Sequence, residues 1–384
     1  MRAMGTNSEL KEVTGMKGMA ALIVMLSHYS IAFFPAVWNA EYQFEHVQNV
    51  ERIIHRTPLY FFMNGSLMVN VFWCISGFLI GYAWYQNKST ELLKRRILGR
   101  YFKLVIPITL SEILAYIFQV NKLFYNHMVV QYTYSEWLAG FYQFEPSLFT
   151  SITDGIYGVF FEGSSRYNPI LWTIKAEMLG ICMSAFFLAI WGNEDTKRRN
   201  RVYMFLAVIV TSFYPPLFAF LVGIFISDKY LQGITLTKKN SVLCVGIALV
   251  LGSFMPIWRF IPAEIIISNN WSINTGEIFR TISAGLLLIC ILNVATMGRI
   301  LRSRVFLFLG NVSMYLYIFH FMILCSFTCW IFIRIHIYAT RGYLFSALVS
   351  SLCGILITVF LSFLLKKTID NFSKKLLNRI CILL

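Results

Sequence analysis

Long apolar stretches recur along almost the whole chain, and they constrain its fold more than any other feature. The chain of 384 residues is 58% hydrophobic and only 13% charged, which is too little polar surface for a soluble globule of this length. The sequence therefore predicts an all-α, polytopic transmembrane helix bundle, a single domain over residues 1–384. We predict about ten spans, at residues 16–37, 59–85, 104–120, 170–191, 202–214, 216–228, 241–258, 277–297, 305–333 and 343–365.

Basic residues are distributed unevenly between the predicted connections. With the N-terminus inside, 24 of the 33 Lys and Arg residues fall in cytoplasmic segments and seven fall on the opposite side. This bias is the usual orientation signal of membrane proteins. Both termini are therefore predicted to be cytoplasmic, with residues 366–384 as a short basic tail. Because these clusters account for the net charge of +15, we expect contacts with membrane lipids and no nucleic-acid partner.

The first span carries a cation and an imidazole on one face. Lys17 and His28 are eleven residues apart, so at about 100° per residue their directions differ by about 20° on a helix. Their separation along the helix axis is about 16 Å, roughly half of a hydrocarbon core. Lys17 is predicted to lie at an interface and His28 well inside the bilayer, where an ionisable side chain indicates function.

A second histidine lies deep in the ninth span. Ser313, Tyr317 and His320 are spaced i, i+4 and i+7, which puts them on one stripe of a helix. The other ionisable candidates within spans are Glu112, Lys175, Glu177, Glu277 and Arg280. Because Lys175 and Glu177 are two residues apart and face nearly opposite ways, only one of them can point into a shared cavity.

Acid–base chemistry is the simplest use of these groups. A histidine takes a proton from a hydroxyl near neutral pH, and a neighbouring carboxylate can fix its tautomer. We predict His28 as the base, with Glu177 or Glu112 orienting it; the alternative is that each histidine is only satisfied by a neighbouring helix. The sequence contains no Gly-x-Ser-x-Gly elbow, phosphate-binding loop or zinc ligand spacing, so we expect no metal.

Two further stretches are candidates for binding. In the cytoplasmic run of residues 94–103, Arg96, Arg100 and Lys103 are candidate ligands for the phosphates of a cytosolic cofactor, and the last two share a helix face. Ordinary positive-inside charge is the alternative. The long outer connection, residues 121–168, is rich in aromatic and acidic residues, which suit sugar rings or an interfacial aromatic belt equally well.

Four motifs carry a family resemblance. Lys17-x10-His28 is similar to the Arg/Lys-x10-His signature of the membrane acyltransferase 3 family, which acylates surface polysaccharides and other extracytoplasmic acceptors. Residues Val71–Ile80 resemble that family's Phe-Phe-x-x-Ser-Gly-Phe-Leu-Ile run. Leu171–Glu177 resembles its Leu-Trp-Ser-Leu-x-x-Glu, and Asn311–His320 resembles its Ser-x-x-Leu-Tyr-x-x-His. The four motifs occur in the family's order on the expected spans, and the resemblance extends from Lys17 to about Lys366.

The resemblance implies roles for individual residues. It implies that His28 is the catalytic histidine, that Lys17 is its basic partner, and that Glu177 and His320 are site residues. Arg100 and Lys103 fall where the family has an Arg-x-x-Arg pair, with lysine in place of the second arginine. The candidate substrate-binding residues are Trp172, Tyr317 and Ser313. Only residues 366–384 follow the last predicted span, so we expect a stand-alone form without the C-terminal esterase-like domain of some relatives.

The expected function is an O-acyltransferase, most simply an O-acetyltransferase of a bacterial inner membrane. Acetyl-CoA from the cytoplasm is the expected donor, and the expected acceptor is a sugar hydroxyl of a surface polysaccharide such as O-antigen or of its lipid-linked precursor. A flippase for such a glycan is the alternative, since it also explains many spans, a polar midplane and an aromatic outer connection. A structural or regulatory membrane subunit is a third possibility.

Overall fold

A computed structural model describes residues 10–253, 264–268 and 271–383. Its helices and strands, in chain order, are α1 (Lys11–Phe33), α2 (Ala36–Asn39), α3 (Val50–Arg56), α4 (Gly65–Asn87), α5 (Thr90–Val120), α6 (Asn126–Thr133), α7 (Glu136–Ala139), α8 (Leu148–Thr153), α9 (Trp172–Trp191), α10 (Thr196–Phe213), α11 (Pro216–Leu231), α12 (Lys238–Gly252), β1 (Glu264–Ser268), β2 (Trp271–Asn274), α13 (Thr275–Asn293), α14 (Ala295–Leu301), α15 (Arg304–Ile323), α16 (Cys329–Ile333) and α17 (Tyr343–Leu383). Short 3₁₀ turns occur at Tyr42–Phe44, Pro58–Met63 and Pro169–Leu171, and π-helical turns at Asp154–Glu162, Leu324–Thr328 and Arg334–Tyr338.

Seven of the described helices are long and apolar enough to cross a membrane: α1, α4, α5, α9, α13, the continuous helix from α15 to Tyr338, and α17. The predicted all-α membrane bundle is confirmed, with β1 and β2 adding one small antiparallel pair. The other three predicted spans correspond to the shorter helices α10, α11 and α12. Residues 254–258, the predicted end of the seventh span, lie outside the described residues. The number of crossings and the side of the termini stay predictions.

Helices α1 and α15 pack parallel to each other and make backbone contact at a pair of glycines. A Cβ atom on Gly18 would lie 2.5 Å from the backbone nitrogen of Gly310, and one on Gly310 would lie 2.0 Å from the carbonyl oxygen of Thr14. Real side chains do not approach so closely, so both positions require glycine. Ten residues further along each helix stand His28 and His320. The glycine contact therefore sets the register that brings the two histidines together.

Helices α4 and α11 form a second parallel pair. The backbone at Gly77 contacts Phe220, and the backbone at Gly81 contacts the hydroxyl of Ser227. Buried aromatic rings of both helices, including those of Trp73, Phe78 and Phe220, join one apolar cluster. This pair is the wall on which α9 and α13 also pack.

A cap formed by connecting segments covers the end of the bundle where α1 ends. His46 lies between two tyrosines, with ring centroids 3.9 Å from Tyr343 and 5.4 Å from Tyr134. Burial lowers the pKa of His46 below its ordinary value of 6.5. Glu51 accepts hydrogen bonds from the backbone nitrogens of His46 and Val47, and burial raises its pKa above 4.5.

The cap should loosen in mild acid. Because the folded state holds a proton on His46 less tightly than the unfolded chain does, His46 contributes a stability that is complete above pH 6.5 and is lost as the pH falls below that value. The contribution of Glu51 to stability has the opposite pH dependence above pH 4.5, because its pKa is raised in the folded state. To isolate the effect of His46, we compare the protein with His46→Phe, which keeps an aromatic ring but does not titrate. After correction for the slower intrinsic exchange at lower pH, we expect the amides of residues 42–57 to be less protected at pH 5.5 than at pH 7.5, and we expect a smaller loss of protection in His46→Phe. An equal change in both proteins would contradict it.

Candidate active site

Two histidines form the centre of the candidate site. Nδ1 of His28 on α1 lies 2.8 Å from Nε2 of His320 on α15. Nδ1 of His320 lies 2.8 Å from the carbonyl oxygen of Tyr317 and 3.0 Å from that of Leu316. His320 is fully buried and His28 is half-buried. The pair therefore lies inside the helix bundle.

The hydrogen bonds determine the tautomers of the neutral pair. Because carbonyl oxygens only accept, Nδ1 of His320 carries the hydrogen, and its Nε2 is then the acceptor. Nδ1 of His28 must donate to that acceptor, which leaves a lone pair on Nε2 of His28. In the part of the chain that the structure describes, that Nε2 makes no hydrogen bond. His28 is thus arranged as a base whose second nitrogen is held by His320.

An aromatic residue from the outer connection packs against His28. The indole of Trp137 lies nearly parallel to the imidazole, with centroids 5.5 Å apart, and Phe321 meets the imidazole edge-on at 5.9 Å. A hydrogen bond holds the segment that carries Trp137 against α1: the hydroxyl of Ser135 donates to the carbonyl oxygen of Ile31 at 2.8 Å. These contacts restrict rotation of the imidazole and bring the outer connection to the site.

A cavity of about 310 Å³ lies beneath the histidines, between α1, α4, α5, α9, α15 and α17. Its charged lining consists of four cations and two carboxylates: Lys17, Arg100, Lys103, Lys366, Glu177 and Asp370. It reaches the surface at Lys103 and Asn311, which are exposed. The excess of positive charge suits a ligand that carries phosphates.

Arg100 and Glu177 form an ion pair at the cavity wall. Nη2 of Arg100 bonds to Oε1 of Glu177, and the hydroxyl of Ser76 donates to the same oxygen at 2.9 Å. Glu177 is almost fully buried, while the side chain of Arg100 is 32% exposed. The carboxylate therefore holds the guanidinium in place with one side facing the cavity.

Tyr317 connects the cavity to the histidines. Its hydroxyl lies 2.9 Å from Oγ1 of Thr173 and donates to the carbonyl oxygen of Ile170 at 3.0 Å. Its own carbonyl oxygen accepts from His320. A ligand that fills the cavity as far as Tyr317 is one helical turn from His320.

The chain matches the family model described as an acyltransferase domain over residues 10–367. The chain belongs to the membrane acyltransferase 3 family. No curated protein and no solved structure matches it.

Six of the ten predicted site residues of this acyltransferase line the cavity: Lys17, Arg100, Lys103, Glu177, Ser313 and Tyr317. His28 and His320 pair above it. Arg96 is exposed on α5 one turn before Arg100, and Trp172 is 49% exposed and meets Trp73 edge-on at 6.1 Å; neither lines the cavity. In the described ranges, no group of three His, Cys, Asp or Glu side chains is placed to hold a metal ion.

The predicted carboxylate partner of His28 was wrong. The partner is His320, while Glu177 bonds to Arg100 and Ser76. Glu112 is fully buried, and its carboxylate oxygens have no hydrogen-bond partner among the described residues. The prediction for Lys175 and Glu177 was correct, because Glu177 lines the cavity while Lys175 donates to the carbonyl oxygen of Glu162 at 3.3 Å.

Sequence reasoning also missed residues of the candidate site. Ser76 and Trp73 were quoted only as part of a motif, although one bonds to Glu177 and the other lines the cavity. Trp137 was one aromatic residue among many in the outer connection. Asp370 and Lys366 come from beyond the predicted last span, where basic charge had been interpreted as a topology signal. For these residues, the one usable signal in the sequence is the Val71–Ile80 motif, which contains both Trp73 and Ser76.

Proposed function

We propose that this membrane acyltransferase moves acetyl from cytoplasmic acetyl-CoA to a sugar hydroxyl of a surface polysaccharide, such as O-antigen or its lipid-linked precursor, in a bacterial inner membrane. The observation that carries the proposal is the hydrogen-bonded pair of His28 and His320, which is joined through the carbonyl oxygen of Tyr317 to the wall of a cationic cavity. A base beside a phosphate-binding cavity is what transfer from a nucleotide thioester to a hydroxyl requires.

The donor would enter from the end of the cavity that reaches the surface. Arg100, Lys103, Lys17 and Lys366 would neutralise the phosphates of CoA, and the thioester arm would extend past Tyr317 towards the histidines. Lysine at position 103 contributes a point charge rather than a bidentate fork. The acceptor would approach from the opposite side, where Trp137 packs against His28.

The transfer conserves atoms and protons. The acceptor oxygen attacks the thioester carbonyl carbon while Nε2 of His28 takes the hydroxyl proton, and His320 stabilises the imidazolium through Nδ1. The carbon–sulfur bond breaks, and the CoA thiolate recovers the proton from His28. If Nε2 instead attacks the thioester carbonyl carbon, the carbon–sulfur bond breaks, CoA leaves as the thiolate and the acetyl group resides on Nε2. The acceptor hydroxyl then attacks the acetyl carbon, the nitrogen–carbon bond breaks, and the thiolate takes the hydroxyl proton. Label retained on the protein without an acceptor distinguishes this second route.

His320 should act as a positioning residue. In His320→Leu nothing accepts the Nδ1 hydrogen of His28, so we expect kcat to fall about 100-fold while the KM for acetyl-CoA stays unchanged. His320→Gln should retain more activity, because an amide oxygen can accept that hydrogen. Steady-state kinetics of both variants provide the measurement. Equal losses in the two variants, or a changed KM, would contradict the tautomer assignment.

Transfer of radiolabelled acetyl tests the function itself. Membranes that contain the protein should move label from acetyl-CoA to polysaccharide, and membranes without it should not. If the protein transferred no label to a range of acceptors but translocated a lipid-linked glycan, the proposed acetyltransferase would be wrong and the flippase would be correct.

A further inference from the structure

A second groove adjoins the cavity on the outside of the bundle, between α15 and α17. Its volume is about 430 Å³, within the range of small-molecule pockets. Its lining residues are Phe308, Asn311, Val312, Phe363, Lys366, Lys367, Asp370 and Asn371. Asn311, Lys366 and Asp370 also line the cavity. The groove and the cavity therefore share an edge, and one extended ligand could occupy both.

The groove combines aromatic rings, amides and unpaired cations. The rings of Phe308 and Phe363 are 6.1 Å apart at 39°, and both are more than a third exposed. In the described part of the chain, Lys366 and Lys367 form no ion pair. Asp370 accepts a hydrogen bond from the hydroxyl of Tyr315 at 2.7 Å. Two lysines beside one engaged carboxylate leave the groove positive.

We propose that this groove binds the 3′-phosphoadenosine of a CoA thioester, an inference that rests on the proposed function. Aromatic faces bind purine rings by stacking, and amides such as Asn311 and Asn371 satisfy the polar edge of the base. Lys367, which lines the groove alone, pairs with the 3′-phosphate, and Lys366 at the shared edge pairs with the pyrophosphate. From the shared edge, the pyrophosphate and pantetheine arm enter the cavity towards Arg100 and Tyr317.

The proposal defines the class of donor. A carrier protein presents its acyl group on phosphopantetheine, which lacks both the adenosine and the 3′-phosphate. A site that recognises those groups selects CoA thioesters over carrier-bound thioesters. Much of the binding energy then comes from a part of the donor far from the reacting carbon, as is common for enzymes that act on large substrates.

The test compares acetyl-CoA with acetyl-3′-dephospho-CoA in nanodiscs of phosphatidylcholine alone. The protein should show a KM about tenfold higher for the dephospho donor, the loss typical of one charge-assisted contact. Lys367→Ala should raise the KM for acetyl-CoA to that same value and leave the KM for the dephospho donor unchanged. Arg299→Ala, which removes an exposed cation on α14 outside the groove, is the matched control and should change neither value.

Each other outcome has a distinct meaning. Equal KM values for the two donors in the unmodified protein would overturn the groove assignment and leave the acetyltransferase intact. Absence of transfer from either donor would remove the proposed function itself. A third outcome is that Lys367→Ala changes the KM only when the nanodisc contains phosphatidylglycerol, and changes it equally for both donors. This result would show that a lipid headgroup phosphate occupies the groove, and it would also overturn the assignment.

Discussion

Replacing His28 with alanine should abolish acyl transfer, with a loss on the order of 10³-fold or more. In the histidine pair, the hydrogen bonds leave the available lone pair on Nε2 of His28, and water cannot substitute for a positioned base. The measurement is transfer of labelled acetyl from acetyl-CoA to polysaccharide by membranes with matched amounts of each protein.

The matched control is His127→Ala. His127 is exposed on α6, so its loss should leave transfer within twofold of the unmodified protein. Size-exclusion profiles in detergent should be the same for both variants, because His28 is only half-buried and its removal leaves the glycine contact between α1 and α15 intact. Retained transfer in a folded His28→Ala protein would exclude the histidine as the catalytic group.

Replacing Arg100 with alanine should reduce both stability and activity. Among the described residues, the variant leaves the nearly buried carboxylate of Glu177 with the hydroxyl of Ser76 as its one partner. Leaving a buried charge unpaired is costly; because Arg100 is itself partly exposed, we expect the free energy of unfolding to fall by about 2 kcal/mol. Thermal denaturation in detergent, followed by tryptophan fluorescence, measures the change.

A double variant separates the two effects of Arg100. In Arg100→Ala/Glu177→Gln no charge is buried, so stability should largely return while transfer stays low, because the cavity still lacks its central cation. Arg96→Ala is the control on the same helix and should alter stability by less than about 0.5 kcal/mol. If the double variant were as unstable as Arg100→Ala, the ion pair would not be the source of the destabilisation.

The sequence predicted most of the site because helical geometry is local. The eleven-residue spacing of Lys17 and His28 and the i, i+4, i+7 stripe ending at His320 placed these side chains on the correct faces. The partner of His28 could not be predicted in this way, because it lies 292 residues further along the chain. The close contact between Gly18 and Gly310 helps to align the two helices, and a glycine in an apolar run gives no indication of its partner.

Two of the predicted residues, Arg96 and Trp172, neither line the cavity nor join the histidine pair, and they show the limits of the same geometry. Arg96 is four residues before Arg100 and lies on the same face of α5. The cavity ends at Arg100, however, and does not extend to the preceding helical turn, where Arg96 lies. Trp172 precedes Thr173 by one residue, so it points about 100° away from a residue that lines the cavity. A helical pattern predicts direction around an axis; depth and neighbours depend on tertiary packing.

The parallel packing of helices constrains how many times the chain crosses the bilayer. Parallel α1 and α15 must be separated by an odd number of crossings, yet only four of the long apolar helices, α4, α5, α9 and α13, lie between them. Parallel α4 and α11 likewise require α10 to cross if α11 does. Once α10 and α11 cross as a pair, parity demands that α12 cross as well. The helix directions are therefore compatible with the ten predicted crossings, and they predict that α10, α11 and α12 cross together if α11 crosses.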